Sequence, residues 1–181
     1  YGTRGEPSFA DNLQRFALLS RGAFQLCRAL EWFPDMMHSH DWPSAVVPVC
    51  LNAREREGEF AATGSMLTIH NLGHQGVFPK EEFAQLPVSP DLYSSAGFES
   101  PDGLNLLQAG IHNADILTTV SPTYAEEIQT PEFGCGLDAL LRIRERDLFG
   151  VLNGMDYEVW NPETDLHIPA NYSHLELGGK A

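Results

Sequence analysis

The sequence predicts an α/β fold, a parallel sheet with helices on both faces, and three observations point to it. Apolar strand-like runs alternate along the chain with segments of helical periodicity, the pattern that parallel strands need for their crossovers. Four of the strand-like runs turn polar at their ends in the same way. The 181 residues also suffice for one domain, because a chain of this size can bury roughly two thirds of its unfolded surface.

The elements follow in order. After Asp11, an N-cap residue type, NLQRFALLSRGAFQLCRALEWF places Phe16, Leu19, Ala23, Leu26 and Leu30 at near-helical spacing and predicts a long amphipathic helix. Pro34 and Asp35 punctuate, and MMHSHD then reads as a strand over 36–40 with a polar end. WPSAVVPVCLNAREREGEF predicts a helix entered through Pro43, which suits a first turn, and closed by charged residues before Gly58. SMLTIHN is a strand over 65–70. Leu72 to Pro101, rich in Pro, Gly and Ser, is expected to be a surface excursion with short helical turns. GLNLLQAGIHNA is helical, DILTTVSP gives a strand over 115–120, TYAEEIQT gives a short helix capped near Thr123, and LFGVLNGMD gives a final strand over 148–153.

Ligands of such a sheet bind outside the carboxyl ends of its strands. Those ends carry His38, His40 and Asp41 on the first strand, His70 and Asn71 on the second, Ser121 on the third, and Asn153, Gly154 and Asp156 on the fourth. One polar strand end is an ordinary turn about as often as it is a site, since loops must satisfy their backbone groups in solvent. Four together favour a site. A polar cluster costs little there, because ligand or water satisfies it.

Composition removes other classes. Eleven Lys and Arg against twenty-five Asp and Glu give a net charge of −14, which repels phosphate backbones and anionic headgroups, so neither nucleic acid nor a membrane surface is an expected partner. Cys27, Cys50 and Cys135 are odd in number and widely spaced, as reduced thiols are. No apolar run approaches the ~20 residues that cross a bilayer, and no basic-then-apolar leader opens the chain. The expectation is a soluble intracellular protein whose opening, YGTRGEPSFADN, reads as mid-loop.

Metal and nucleophile chemistry are weakly supported. His38 and His40 lie two apart on one strand face and could share a zinc ion, with His70, His74 or Asp41 as a third ligand. No Cys cluster or His-Glu-x-x-His helix accompanies them, so no metal is expected. The chain has no glycine-rich phosphate loop, and Ser121 lacks the G-x-S-x-G elbow of a nucleophile and reads equally as a turn or N-cap residue.

HSHDWPSAVVPVCL, TIHNLGHQGVFP, LLQAGIHNADILTTVSPTYAEEIQTPEFGCGLDALL and GVLNGMDYEVWNPETD, in that order and spacing, resemble the bacterial glycogen synthase and plant starch synthase family from about Asp11 to Asp165. The resemblance implies a retaining glucosyltransferase that moves glucose from a nucleotide sugar, usually ADP-glucose, to the non-reducing 4-hydroxyl of an α-1,4-glucan. It implies no cofactor. Such enzymes are of the GT-B type, two Rossmann-like domains with the site in the cleft between them. By motif, His70 corresponds to the histidine at the donor glucose near its 6-hydroxyl, Asp41 to a functionally important aspartate and Asn153 to an asparagine near the sugar, with Asn71 and Gln75 flanking the cleft. Hydrogen-bonding side chains of this kind are what a hydroxyl-rich sugar requires.

The departures are as specific. The family's Lys-x-Gly-Gly-Leu donor loop and its second domain do not occur in the sequence, Pro43 stands where many members have His, and NLGHQG replaces the common NLAYQG. Residues 1–181 are therefore expected to form a single Rossmann-like piece of the N-terminal catalytic domain, inactive by itself and completed by the C-terminal domain of the same enzyme. The compartment would be cytoplasm in a bacterium and plastid stroma in a plant or alga. The alternatives are a non-catalytic glucan-binding or regulatory module, and a related GT-B transferase using another nucleotide sugar.

Overall fold

The computed structural model describes Gly2 and residues 8–180, in two compact units divided after Val151. In the first unit, helix α1 (Asn12–Ala29) leads to strand β1 (Met36–His40), helices α2 (Asp41–Ser44) and α3 (Val46–Ala53), and strand β2 (Gly64–Ile69). Strand β3 (Val77–Phe78), helix α4 (Leu92–Ser95), strands β4 (Glu99–Ser100) and β5 (Gly103–Asn105) and helix α5 (Leu106–Asn113) follow. Strand β6 (Ile116–Thr119), helices α6 (Pro122–Glu127) and α7 (Asp138–Ile143), and strand β7 (Leu148–Gly150) complete it. The second unit begins at Leu152, and its described residues form turns and a short 3-10 helix, Gly178–Lys180. Within it Asp156 Oδ1 accepts from the Glu158 and Val159 amides, and Asn171 Nδ2 donates to the carbonyls of Pro162 and Asp165.

The main sheet has the order β1-β2-β6-β7, and every neighbouring pair is parallel, as the alternation of elements predicts. Because side chains alternate along a strand, the sheet has two distinct faces. Met37, Ser39, Leu67, Ile69 and Leu117 are buried with Val46 and Val49 of α3 and Leu107 and Ile111 of α5. The face bearing Met36, His38, His40 and Phe149 keeps more exposure, 42 % at Met36 and 52 % at Phe149. Helix α5 comes close to the sheet through Gly110, where an added Cβ would lie 2.7 Å from Ala45 Cβ and 3.0 Å from Leu67 Cδ2.

Several boundaries differ from the sequence expectation, each for a local reason. Helix α1 buries Leu13, Ala17, Ser20, Phe24 and Cys27, leaving Leu19, Leu26 and Leu30 exposed and Phe16 and Ala23 half-buried. The sequence offers two apolar stripes, and the one carrying Phe24 wins by an edge-to-face contact with Phe60 at 5.1 Å. The expected helix after Trp42 breaks at Ala45, because Pro48 cannot donate to the Ser44 carbonyl and its ring crowds that turn. Helix α6 is capped by Ser121, whose Oγ accepts the Tyr124 amide at 2.9 Å, and Thr123 lies inside it. The last strand stops at Gly150, three residues early: Gly150 pairs with Thr119, after which the neighbouring chain turns into α6 through Pro122 and has no strand to offer.

The segment from Leu72 to Pro101 is more than a surface excursion. Its β3 and β4 flank β5 in a small antiparallel sheet, and Phe83, Leu86, Ala96 and Phe98 are buried, with Phe83 edge-on to both Tyr93 and Phe98.

At the amino end of the sheet Asp115 ties three elements together. Its Oδ2 accepts the Ser65 amide at 2.7 Å and the Ser65 hydroxyl at 2.9 Å, and it pairs with Arg56. Burial opposes its ionisation, but the Arg56 guanidinium and the two Ser65 bonds outweigh burial and hold the carboxyl below its ordinary value of 3.8. A depressed folded-state value gives stability that is present above the unfolded value and lost as pH falls through the folded one. Asp115→Asn is expected to lower stability at neutral pH and to flatten the acid decline below that value, as read by urea unfolding across pH.

Candidate functional site

Strands β1 and β2 end side by side, with His40 in register with Thr68, and the polar residues after them meet. At the end of β1 the chain turns sharply. Asp41 adopts φ +52°, uncommon for a residue with a Cβ, and α2 begins at once. Ser44 locks the turn: its Oγ accepts the His40 amide at 2.7 Å and donates to the His40 carbonyl at 2.8 Å. This turn aims the Asp41 carboxylate at the neighbouring strand, where Oδ1 accepts the His70 amide at 2.7 Å and the Asn71 amide at 3.4 Å.

The imidazoles form a row on the open face. His40 Nδ1 lies 2.9 Å from His70 Nε2, the His38 and His40 rings lie with centroids 4.1 Å apart and planes tilted by 34°, and His38 Nε2 lies 2.6 Å from Thr68 Oγ1. Thr68 Oγ1 in turn meets Thr118 Oγ1 at 2.6 Å. Burial first, then the neighbouring His40 and His70, push the His38 imidazole below its usual range. Among the described residues no three His, Cys, Asp or Glu are placed to hold a metal ion. The row explains this: His40 and His70 turn ring nitrogens on each other and His38 spends Nε2 on a threonine, so the three do not face a common point.

After His70 the loop is tied on every side. Asn71 Oδ1 accepts the Gly73 amide at 2.9 Å, the Tyr124 hydroxyl accepts the Leu72 amide at 3.2 Å, and the Leu106 and Leu107 amides donate to the carbonyls of Gly76 and Gln75. Gln75 is bonded at both ends of its amide. Nε2 donates to the carbonyls of Leu72 and Cys135, and Oε1 accepts from Asn105 Nδ2 at 2.6 Å. Both its donors are spent, so for a ligand it retains one lone pair on Oε1. A cavity of about 580 Å³ opens beside this loop, lined by Trp42, His74, Gln75 and Phe78 among others.

Trp42 holds the loop from below. It is 5 % exposed and meets Phe16 edge-on at 4.8 Å. Gly76, at φ +65°, passes so near that an added Cβ would lie 2.5 Å from the indole ring. Gly76→Ala therefore combines overpacking with an unfavourable backbone and is expected to cost about 2 to 4 kcal/mol, checked by denaturant unfolding.

The structure thus brings together His38, His40, Asp41, His70, Asn71 and, one turn on, Gln75. Ser121 is a helix cap. Asn153, Gly154 and Asp156 belong to the second unit, where all three are exposed. Sequence reasoning missed Tyr124 and Asn105 as supports of the loop and Ser44 as the lock of the His40 turn; each is a polar residue within one turn of a helix start or at its cap, and that position was the available signal. A second cavity, about 470 Å³, lies by the carboxyl end of α3, among Phe24, Cys50, Arg54 and Leu92. There burial pushes the Cys50 thiol up to about 12.

Known proteins give a concordant picture. The family described as "Starch synthase catalytic domain" matches residues 1–143. A glycogen synthase of Treponema denticola is 47 % identical over 180 residues, covering 99 % of this chain and 37 % of that protein; one of Myxococcus xanthus is 50 % identical over 182 residues, covering 100 % and 38 %. The catalytic domain of starch synthase IV from Arabidopsis thaliana, solved bound to ADP and acarbose, superimposes with a TM-score of 0.80 at 32 % identity, over 98 % of this chain and 37 % of that one. The chain spans under two fifths of the length of these relatives. With one parallel sheet, one polar cluster at its carboxyl edge and a family match over most of its residues, this chain belongs to the starch and glycogen synthase family.

Proposed function

We propose that the protein is a glycosyltransferase that moves glucose, with retention, from ADP-glucose to the non-reducing end of an α-1,4-glucan, and that these residues are part of the N-terminal Rossmann-like domain of a two-domain GT-B enzyme. The single observation that carries this reading is the junction of β1 and β2, where Asp41 holds the His70 amide and leaves the His70 imidazole exposed at the sheet mouth. Family membership supplies the reaction. ADP, seen in the Arabidopsis structure, is the group that ADP-glucose would leave behind.

In this reading His70 bonds the donor glucose at its 6-hydroxyl, Asp41 fixes the backbone that presents His70 and Asn71, and Asn71 and the remaining lone pair of Gln75 face the sugar; a sugar-binding role for Asn153 rests on its motif alone. Catalysis rests on placing donor and acceptor, supporting the departing diphosphate and stabilising charge at the sugar carbon. A chain of charge −14 is poorly suited to hold a diphosphate unaided, so the clamp is assigned to a C-terminal domain across the cleft. The compartment proposed is the cytoplasm of a bacterium, in keeping with the bacterial relatives; among the described residues no helix is long and apolar enough to cross a membrane.

The test is incubation of the full-length protein with glycogen and either ADP-glucose or UDP-glucose labelled in the sugar. Label from ADP-glucose, released again by an α-1,4-specific glucosidase, is the expected result. No incorporation would leave a glucan-binding module, and preference for UDP-glucose would leave a related transferase.

A further inference from the structure

We infer that His40 is a positioning residue that fixes the tautomer of His70, so that His70 turns a bare Nδ1, a hydrogen-bond acceptor, toward its ligand. The inference rests on the proposed transfer reaction for the identity of that ligand, a sugar hydroxyl; the tautomer itself rests on the ring contact together with the intrinsic preference of a histidine side chain.

Two ring nitrogens 2.9 Å apart can bond only if one carries a hydrogen and the other a lone pair. A neutral pair has two ways to satisfy this. Either His40 Nδ1–H donates to His70 Nε2, leaving His70 with its hydrogen on Nδ1, or His70 Nε2–H donates to His40 Nδ1, leaving His70 Nδ1 bare. The first puts both imidazoles in the Nδ1–H form, the less stable tautomer of a free histidine side chain. The second puts both in the Nε2–H form. Among the described residues no other group bonds a ring nitrogen of either residue, so intrinsic preference decides, and it decides twice in the same direction.

The backbone holds the pair in this arrangement. His40 is pinned by the Ser44 hydroxyl at its amide and carbonyl, and its ring lies tilted against that of His38, whose own Nε2 is taken by Thr68. His70 is pinned at its amide by Asp41. With both main chains fixed, the contact between the rings obliges them to share one tautomer and so makes the preference of each count for both, leaving His70 Nδ1 bare. A bare Nδ1 accepts a hydrogen from a hydroxyl and offers nothing to an acceptor-only group such as a phosphate oxygen. The arrangement therefore selects for a ligand that donates, as a sugar hydroxyl does.

The experiment uses full-length protein labelled with ¹⁵N in its imidazoles, and two variants. His40→Phe keeps a ring against His38 but has no nitrogen, while His40→Asn places an amide oxygen near the position of Nδ1. Two-bond ¹H–¹⁵N spectra, with the His70 signals assigned by their loss in His70→Gln, report the tautomer directly. The expected result is the Nε2–H pattern for His70 in the wild type and in His40→Asn, and a mixed pattern in His40→Phe. Turnover in His40→Phe should fall about tenfold with a smaller change in KM, the scale seen when the group that orients an imidazole is removed, and His40→Asn should recover most of it. An Nδ1–H pattern in the wild type, or a His70 pattern unchanged in His40→Phe, would overturn the inference. A wild-type protein with no transferase activity would refute the proposed reaction and leave the tautomer to be decided by the spectra. Should His40→Phe fail to fold, the wild-type pattern and His40→Asn decide.

Discussion

His70→Ala in the full-length protein is expected to reduce kcat on the order of 10²-fold or more while leaving the fold intact. The two halves of this expectation come from the same feature. His70 follows the last residue of β2 and its side chain is exposed, whereas its neighbours in sequence, Ile69 and Leu72, are fully buried. Truncation removes no core contact and opens no cavity. The bond to His40 is lost, but that ring is itself exposed and water can take its place. The amide of His70 still donates to Asp41, so the turn survives, and the melting temperature should move by no more than about 2 °C. The cost falls on catalysis, because a hydrogen bond that orients the reacting sugar is lost from a site that works by placement. Steady-state kinetics with ADP-glucose and glycogen, alongside a thermal melt, separate the two effects. Near-normal turnover would remove His70 from the site, and a large fall in melting temperature would make it a structural residue.

How much of this was legible in the sequence depended on whether the deciding interaction was local. The four parallel strands, and the polar ends of the first two, follow from alternation and from the placement of His38, His40, His70 and Asn71 at the ends of strand-like runs, and these are short-range signals. The choice of stripe on α1 was not legible, since LQRFALLSRGAFQLC supports two helical faces and the partners that favour the one with Phe24, Phe60 among them, lie far off in sequence. The small antiparallel sheet was hidden for a similar reason. Its strands are two or three residues long, too short for periodicity to show, and the apolar anchors Phe83 and Phe98 are scattered among Pro, Gly and Ser. Asp41 and Gln75 illustrate the same limit within the site. Their residue types suggested a sugar-binding surface, and only the fold reveals that one carboxylate oxygen is spent on the backbone of a neighbouring strand and that one amide is spent on the loop.

That use of Asp41 leads to the second large expected effect. Asp41→Ala should lower turnover roughly 10- to 10²-fold and cost about 1 to 3 kcal/mol of stability, because charge-assisted bonds to the amides of His70 and Asn71 disappear together. Two further substitutions distinguish support from direct chemistry. Asp41→Asn keeps an oxygen at the position of Oδ1 and tolerates the positive φ of +52°; if the carboxylate serves the backbone, this variant should retain turnover within about fivefold, since a neutral bond replaces a charged one of roughly twice its strength. Asp41→Gly removes the carboxylate but relieves the left-handed backbone, so it should recover about 1 kcal/mol relative to Asp41→Ala while recovering none of the turnover. Stability and activity then separate: backbone strain governs the first difference, and the hold on His70 and Asn71 governs the second. An aspartate that instead met the sugar or the departing group as a charge would show the opposite order, with Asp41→Asn as impaired as Asp41→Ala. Kinetics and urea unfolding on the three variants decide between the two, and the 2.7 Å bond from the His70 amide to Oδ1 is the reason to expect the first.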